Sequence, residues 1–184
     1  MTNRIHSALY QLKLCRHLLL ETLKSKLVVS LIYPHVDYCC AAYMDMTTKH
    51  NLRVHRAVNA CIRFIFNVRA DEHITLYYVR LRWLKVDVRR AYFVGCLLYK
   101  ILETKQPSLL HSNFNCRITT TDRATRASRD TLFLPQCRTE LYKHSFRLTS
   151  ARFWNGLSQS IWSAMILADF KQRFYSHLLA CASS

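Results

Sequence analysis

Residues 47–68 read TTKHNLRVHRAVNACIRFIFNV, and the periodicity of this stretch decides the fold class. At ~100° per residue, Val54, Val58, Cys61, Ile62 and Ile65 share one side of a helix, while Lys49, Arg53, Arg56 and Arg63 share the opposite side. Thr47 or Thr48 is the type of residue that caps such a helix, whose end is expected near Val68. One face is built for a core, and the other is a stripe of cations.

The same period extends in both directions. Upstream, Ile5, Leu9, Leu12, Leu19, Leu23, Leu27 and Leu31 recur at helical spacing until Pro34, which breaks or kinks the run; the apolar residues from Val36 to Tyr43 are expected to pack inward. Downstream, Asp71 marks a turn, residues 74–84 are apolar and aromatic, and Asp87 is a candidate cap for a helix reaching about Glu103. Between Ala91 and Leu102 only Lys100 is charged, so this helix is predicted to be central, with Phe93, Leu97 and Ile101 at its heart. Residues 115–136, with Thr119 to Thr121, Arg123, Arg126, Arg129 and Pro135, read as a long polar loop, with a short hairpin between 117–121 and 131–134 as the alternative. Helical spacing then returns in Ala151, Trp154, Leu157 and Ile161, and again in Ile166, Phe170, Phe174 and Leu178. With only 2 Gly and 3 Pro, the chain lacks the turns that a sandwich or barrel uses every ~8–12 residues. The expected fold is all-α: an irregular helical bundle with a basic region over 1–114, a linker over 115–136, and a C-terminal helical segment over 137–184 packing on the first. No internal repeat is evident.

Composition narrows the function. Hydrophobic residues make up 51% of the 184, enough for a sizeable core. The 27 Lys and Arg against 11 Asp and Glu give a formal charge of +16, and such an excess repels itself unless a polyanion is near. Residues 47–113 carry a net +8, residues 1–46 a net +2 and residues 114–184 the remaining +6, so the positive charge is densest in the middle of the chain. The best apolar run, from Leu27 to Tyr33, falls far short of the ~20 residues of a bilayer crossing, and Arg4, Lys13 and Arg16 interrupt any N-terminal secretory pattern. A soluble chain of the nucleus or cytoplasm is expected, with no membrane partner. Its 8 cysteines are then reduced thiols, with Cys15, Cys61, Cys96 and Cys181 acting as small hydrophobes and Cys39 and Cys40 packing in the core.

Motifs for catalysis are missing. There is no Cys-x-x-Cys pair and no glycine-rich phosphate loop; His35 and Cys39 lie four apart with nothing to orient a base, and a zinc site around them would lack paired spacing. Tyr43-Met44-Asp45-Met46 looks like the Tyr-x-Asp-Asp box of reverse transcriptases, but Met46 stands where the second carboxylate belongs. A thioether cannot replace a hard oxygen ligand for Mg²⁺, so the match is read as coincidence. No cofactor and no metal are expected.

Lys49, Arg53, Arg56 and Arg63, with Arg89 and Arg90 further on, are the candidate nucleic-acid contacts. Cations along one helix face track a phosphate backbone and supply affinity without sequence information. A merely solvated face is the alternative, though one usually balanced by Glu at i,i+4, which is almost absent here. Arg123, Arg126 and Arg129 rank lower, since a solvated loop explains them equally well. Tyr77, Tyr78, Trp83, Tyr92, Phe93 and Trp154 are of a type that stacks on bases, but core burial is the more general use of such side chains.

A chain of short patches also resembles one family. Tyr33-Pro34-His35-Val36-Asp37-Tyr38-Cys39 is similar to the segment after the palm in reverse transcriptases of jockey-like non-LTR retrotransposons. The likeness continues in order through Leu52 to Ile65, with Arg56-Ala57, Asn59-Ala60-Cys61 and Arg63; Trp83-Leu84 with Arg89-Arg90; Tyr99-Lys100-Ile101-Leu102; Arg123 with Thr125-Arg126; Leu134-Pro135; Tyr142 with Ser145-Phe146; Ala151-Arg152 with Trp154-Asn155; and Phe170-Lys171. Three positions depart from it: His55 stands where the family often has Gln, Arg82 where Gly is common before Trp83, and Ser158 where Pro often follows Leu157. The resemblance implies the thumb-like and C-terminal part of an RNA-directed DNA polymerase, which grips template and duplex. Fingers, palm and endonuclease would lie upstream, so no position here inherits a catalytic role. It also implies RNA or DNA as partner, an upstream palm domain as a second one, and a truncated or degenerate element copy or an incomplete gene model as the origin of the chain.

Overall fold

A computed structural model of the chain describes residues 2–44, 46–115 and 131–183. Among them the fold is all-α, with no strand; Leu132 forms a lone bridge. The chain divides into two compact units: residues 1–40, 46–89 and 179–184 form one, residues 41–45 and 90–178 the other. Most of the expected linker lies outside the described residues, as do residues 117–121 of the alternative hairpin.

The first unit is organised around α4 (Thr48–Phe66). Its buried residues are Val54, Ala57, Val58, Cys61, Ile62, Phe64 and Ile65, the face that the periodicity picked out. Thr47 stands at the N-cap, but its hydroxyl pairs with His50 Nδ1 at 2.8 Å rather than with a backbone N–H. The helix stops because Asn67 turns into the left-handed region at φ 53°, ψ 36° and its N–H donates to Arg63 O, a C-terminal role that asparagine tolerates better than most residues.

Against this helix pack α1 (Thr2–Leu14), α2 (Glu21–Leu31) and α5 (Thr75–Leu81), and α3 (Tyr33–Asp37) packs against α2. The single upstream periodicity is in fact two helices separated by a turn at 15–20. Ile5 and Leu9 are buried as expected, yet α2 buries Lys24 and Val28 and leaves Leu23 and Leu31 exposed. Val36 and Cys40 point inward, whereas Tyr38 and Tyr43 are exposed, as are Cys15, Cys39 and Cys181. The α5 helix ends on Arg82, at φ 53°, ψ 39°.

The long helix α6 (Val86–Thr104) begins in the first unit and supplies the spine of the second. Asp87, expected before the helix as its cap, lies within its first turn, where its carboxylate accepts from Asn51 Nδ2 at 2.9 Å and pairs with His55 Nε2 at 2.8 Å. Val94, Leu98, Tyr99 and Ile101 are buried, but Leu97, placed at the centre on sequence, is 37% exposed. The second unit also holds α7 (Ser108–His111), α8 (Glu140–Lys143), α9 (Phe146–Asn155), α10 (Gln159–Trp162) and α11 (Leu167–Ser183) as far as Leu178. Its core is aromatic: Tyr99 stacks on Phe170 at 4.4 Å between ring centres, Trp154 lies 5.9 Å from Phe170, and Phe174 is 5.4 Å from Phe170. Tyr99 also donates its hydroxyl proton to Ala164 O at 2.7 Å, satisfying the one polar atom this ring takes into the core. Residues flanking the undescribed segment are anchored, since Asn155 bonds both the N–H and the C=O of Leu132, at 2.8 and 2.9 Å, and Phe133 N–H donates to Asn115 O.

Candidate nucleic-acid interface

The six cations selected from the sequence do not form one set. Lys49, Arg53 and Arg56 are exposed on the face of α4 opposite its buried residues. With a 1.5 Å rise per residue, they span about 10 Å of the helix. No carboxylate among the described residues lies within ion-pairing distance of any of them. They are therefore three solvated cations held on a rigid element.

Arg63 continues this face but is half-buried, and part of its fork is engaged: Nε donates to Arg69 O at 3.2 Å and Nη2 to Ala70 O at 3.1 Å. It holds the turn that follows α4. Three of its five N–H groups remain for another acceptor.

Arg89 has a structural role. Its fork meets both oxygens of Asp37, at 2.6 and 2.5 Å, and its guanidinium lies 4.2 Å from the centre of the Tyr33 ring. A planar bidentate pair stacked on an aromatic face uses the features that set arginine apart from lysine. Arg90 is only 7% exposed, so neither arginine of this pair presents its charge to a ligand surface. Arg123, Arg126 and Arg129 lie outside the described residues, as does Asp45.

The aromatics divide likewise. Tyr78 is buried, with its hydroxyl bonded to Asn59 Oδ1 at 2.8 Å, and burial pushes its ionisation well above the ordinary value of 10.0. Trp154 lies in the core of the second unit, and Trp83 packs edge-on against Tyr33. Core packing claims these rings. Among the described residues, no group of three His, Cys, Asp or Glu is placed to hold a metal ion, and no helix is long and apolar enough to cross a membrane.

Sequence reasoning missed a further grouping of basic side chains. Lys13, at the end of α1, and Arg16 and His17, on the turn after it, converge on Arg63 around a cleft of ≈ 580 Å³. Nothing in their local sequence marks them, because the grouping depends on how α1 packs on α4.

No protein-family model, no curated protein and no solved structure matches this chain.

Proposed function

We propose that this chain is a non-catalytic nucleic-acid-binding module that grips a phosphate backbone through Lys49, Arg53 and Arg56, and that it is the thumb-like and C-terminal portion of a retrotransposon reverse transcriptase. The observation that carries the binding reading is the row of three exposed, unpaired cations on one face of α4, in a chain of formal charge +16. A rigid row of point charges suits a regularly spaced polyanion and reads no bases. RNA and DNA both offer that backbone, and the partner domain would be the upstream palm, in an intracellular setting.

The three departures from the family pattern support the kinship. Arg82 stands where the family commonly has glycine, and its backbone is left-handed, the conformation that glycine adopts without steric cost. Ser158 stands where proline is frequent, and its φ of −68° is the angle a proline ring imposes. His55, in place of glutamine, pairs with Asp87 across a gap that a side-chain amide also bridges. In each case the backbone or partner suits the residue that the family would place there.

A second reading is a module that docks on another protein. It is favoured by Leu20, Leu23 and Leu31, which stand exposed along one side of α2, since a row of leucines facing water has an apolar surface to bury.

The test is a titration of mixed-sequence duplex and single strand by fluorescence anisotropy at several salt concentrations. Changing Lys49, Arg53 and Arg56 to Gln removes charge at little cost in helix propensity. Each neutralised phosphate contributes about −0.9 to the logarithmic salt slope, so the triple variant is expected to flatten it by about 2.7. A matched Gln set at Arg123, Arg126 and Arg129 is the comparison. If the α4 triple variant keeps the parental affinity and slope, the backbone-gripping role is refuted and the acidic or apolar protein partner stands.

A further inference from the structure

The cleft beside α4 has the composition of an anion site. It is lined by Lys13, Arg16, His17 and Arg63, together with Ala60, Phe64 and the 67–70 turn, and no acidic residue borders it. The nearest carboxylates in sequence face elsewhere: Asp71 pairs with Arg69, and Glu72 accepts from Arg69 N–H and Tyr77 Oη.

Behind the lining lies a second, independent sign. Lys24 is only 3% exposed, and its ammonium rests on two residues of the cleft wall, donating to Asn67 Oδ1 at 3.3 Å and lying 5.4 Å from the centre of the Phe64 ring. Among the described residues it has no carboxylate partner and no other hydrogen bond. A buried ammonium has three protons to place, and an uncompensated buried charge is costly. An anion seated in the cleft would offset that cost.

Helix ends provide the competing explanation, since cations near a C-terminus satisfy its carbonyls and its dipole. The magnitudes decide against it as a full account. Two helix C-termini supply about −0.5 charge each, against four full positive charges on Lys13, Arg16, Lys24 and Arg63. Roughly three units of positive charge remain, more than one phosphodiester neutralises. A terminal phosphate monoester, at about −1.5 to −2 near neutral pH, matches better.

Position narrows the ligand further. At ~100° per residue, Ala60, Arg63 and Asn67 continue the same face of α4 that carries Lys49, Arg53 and Arg56, and the 67–70 turn walls the cleft at the end remote from Lys49. A strand lying along the stripe meets this wall. We propose that the cleft formed by Lys13, Arg16, His17 and Arg63 binds a phosphate monoester at the end of a nucleic-acid strand, a reading that rests on the backbone-gripping role of α4.

The experiment compares one oligonucleotide sequence in three forms, phosphorylated at its 5′ end, at its 3′ end, or at neither, bound to the full chain, and adds inorganic phosphate as a separate probe. One phosphorylated form is expected to bind about tenfold tighter than the unphosphorylated strand, as charge-assisted contacts of this strength imply. The double variant Lys13→Gln, Arg16→Gln, at two exposed positions, is expected to bind all three forms alike while melting at the parental temperature. The triple variant Lys49→Gln, Arg53→Gln, Arg56→Gln is expected to lose affinity for every form yet keep the end preference. Equal binding of the three forms by the parent overturns the proposal, as does a preference that survives in the double variant. If the triple variant binds strands as the parent does, the α4 reading fails, and the end preference of the parent still decides the cleft. Inorganic phosphate that binds the parent but not the double variant, with no end preference for any strand, assigns the cleft to a free phosphate compound and overturns the strand-end assignment.

Discussion

Replacing Gly95 by alanine tests the packing of the second unit at its tightest point. A Cβ built on Gly95 would lie 2.5 Å from Phe174 Cε1, 3.1 Å from its Cζ and 3.2 Å from Phe153 Cε1. Carbon atoms rest at about 3.5–4.0 Å, so the Phe174 ring must retreat by roughly 1 Å. It has little room, being fully buried with Tyr92, Phe153 and Phe170 within 5.6 Å of its ring centre. Overpacking of this kind costs about 1–3 kcal/mol, while alanine in a helix interior recovers up to ~1 kcal/mol over glycine. Gly95→Ala is expected to destabilise by about 1–2 kcal/mol net, lowering the melting temperature by about 2–8 °C for a chain of this size. Gly156→Ala is the control, because its Cβ would meet only backbone oxygens at 3.4 and 3.6 Å in a right-handed conformation, and a neutral or slightly stabilising effect is expected. Urea unfolding followed by far-ultraviolet circular dichroism measures both. If Gly95→Ala proves at least as stable as the parent, α6 and α11 do not approach as described, and the aromatic core is not the close-packed unit drawn here.

Three further outcomes are expected. Arg89→Gln breaks a bidentate pair that is about four-fifths buried on each side, and should cost about 1–3 kcal/mol of stability without altering the salt dependence of nucleic-acid binding; a stable variant with a flattened salt slope would return Arg89 to the interface. Burial pushes the Cys61 thiol up from 9.0 to about 12, so above pH 9.0 the unfolded chain releases a proton that the folded one retains, and stability should hold below pH 9.0 and fall between there and about 12. A denaturant series across that range with no alkaline loss would contradict the burial of Cys61. Alkylation of the native protein read by mass spectrometry should modify Cys15, Cys39 and Cys181 while sparing Cys40, Cys61 and Cys96, and early loss of the last three would place those helices at the surface.

How much of this was legible depended on whether the relevant signal was local. The α4 helix was readable in phase, because Val54, Val58, Cys61, Ile62 and Ile65 define a single face; its end, expected near Val68, falls at Phe66, where Asn67 turns left-handed. The central helix was readable in extent but not in phase: a segment apolar nearly all round has no preferred side, and Leu97 fell on the exposed one. The α2 helix misled for a different reason. Its leucines set the apparent period, yet the residues it buries are Lys24, whose aliphatic stem suits an interior, and Val28. The turn at 15–20 holds neither Gly nor Pro and so left no mark in the sequence. Arg89 and Asp37 stand 52 residues apart, and Lys13 and Arg63 come from different helices; no periodicity reports partners of that kind.

The distribution of carboxylates explains why the positive charge concentrates where it does. Asp37 holds Arg89, Glu21 holds Arg80, Asp71 holds Arg69, Asp169 holds Arg173 and Glu140 holds Lys143, while Asp87 is engaged by Asn51 and His55. None of these pairs reaches Lys49, Arg53 or Arg56, nor Lys13, Arg16 or Lys24. Asp37, Glu21 and Asp87 thus join helices, the other three acids pair within a helix or turn, and the cations of one face of α4 and its adjoining cleft are left to repel one another. Exposed pairs contribute little to stability, a median of ~0–1 kcal/mol, so moving a single Glu into this face would relieve the repulsion at almost no structural cost. Among the described residues this face stays uniformly positive while acids are used elsewhere, and the proposed phosphate-binding role would supply the missing negative charge at regular steps along the helix.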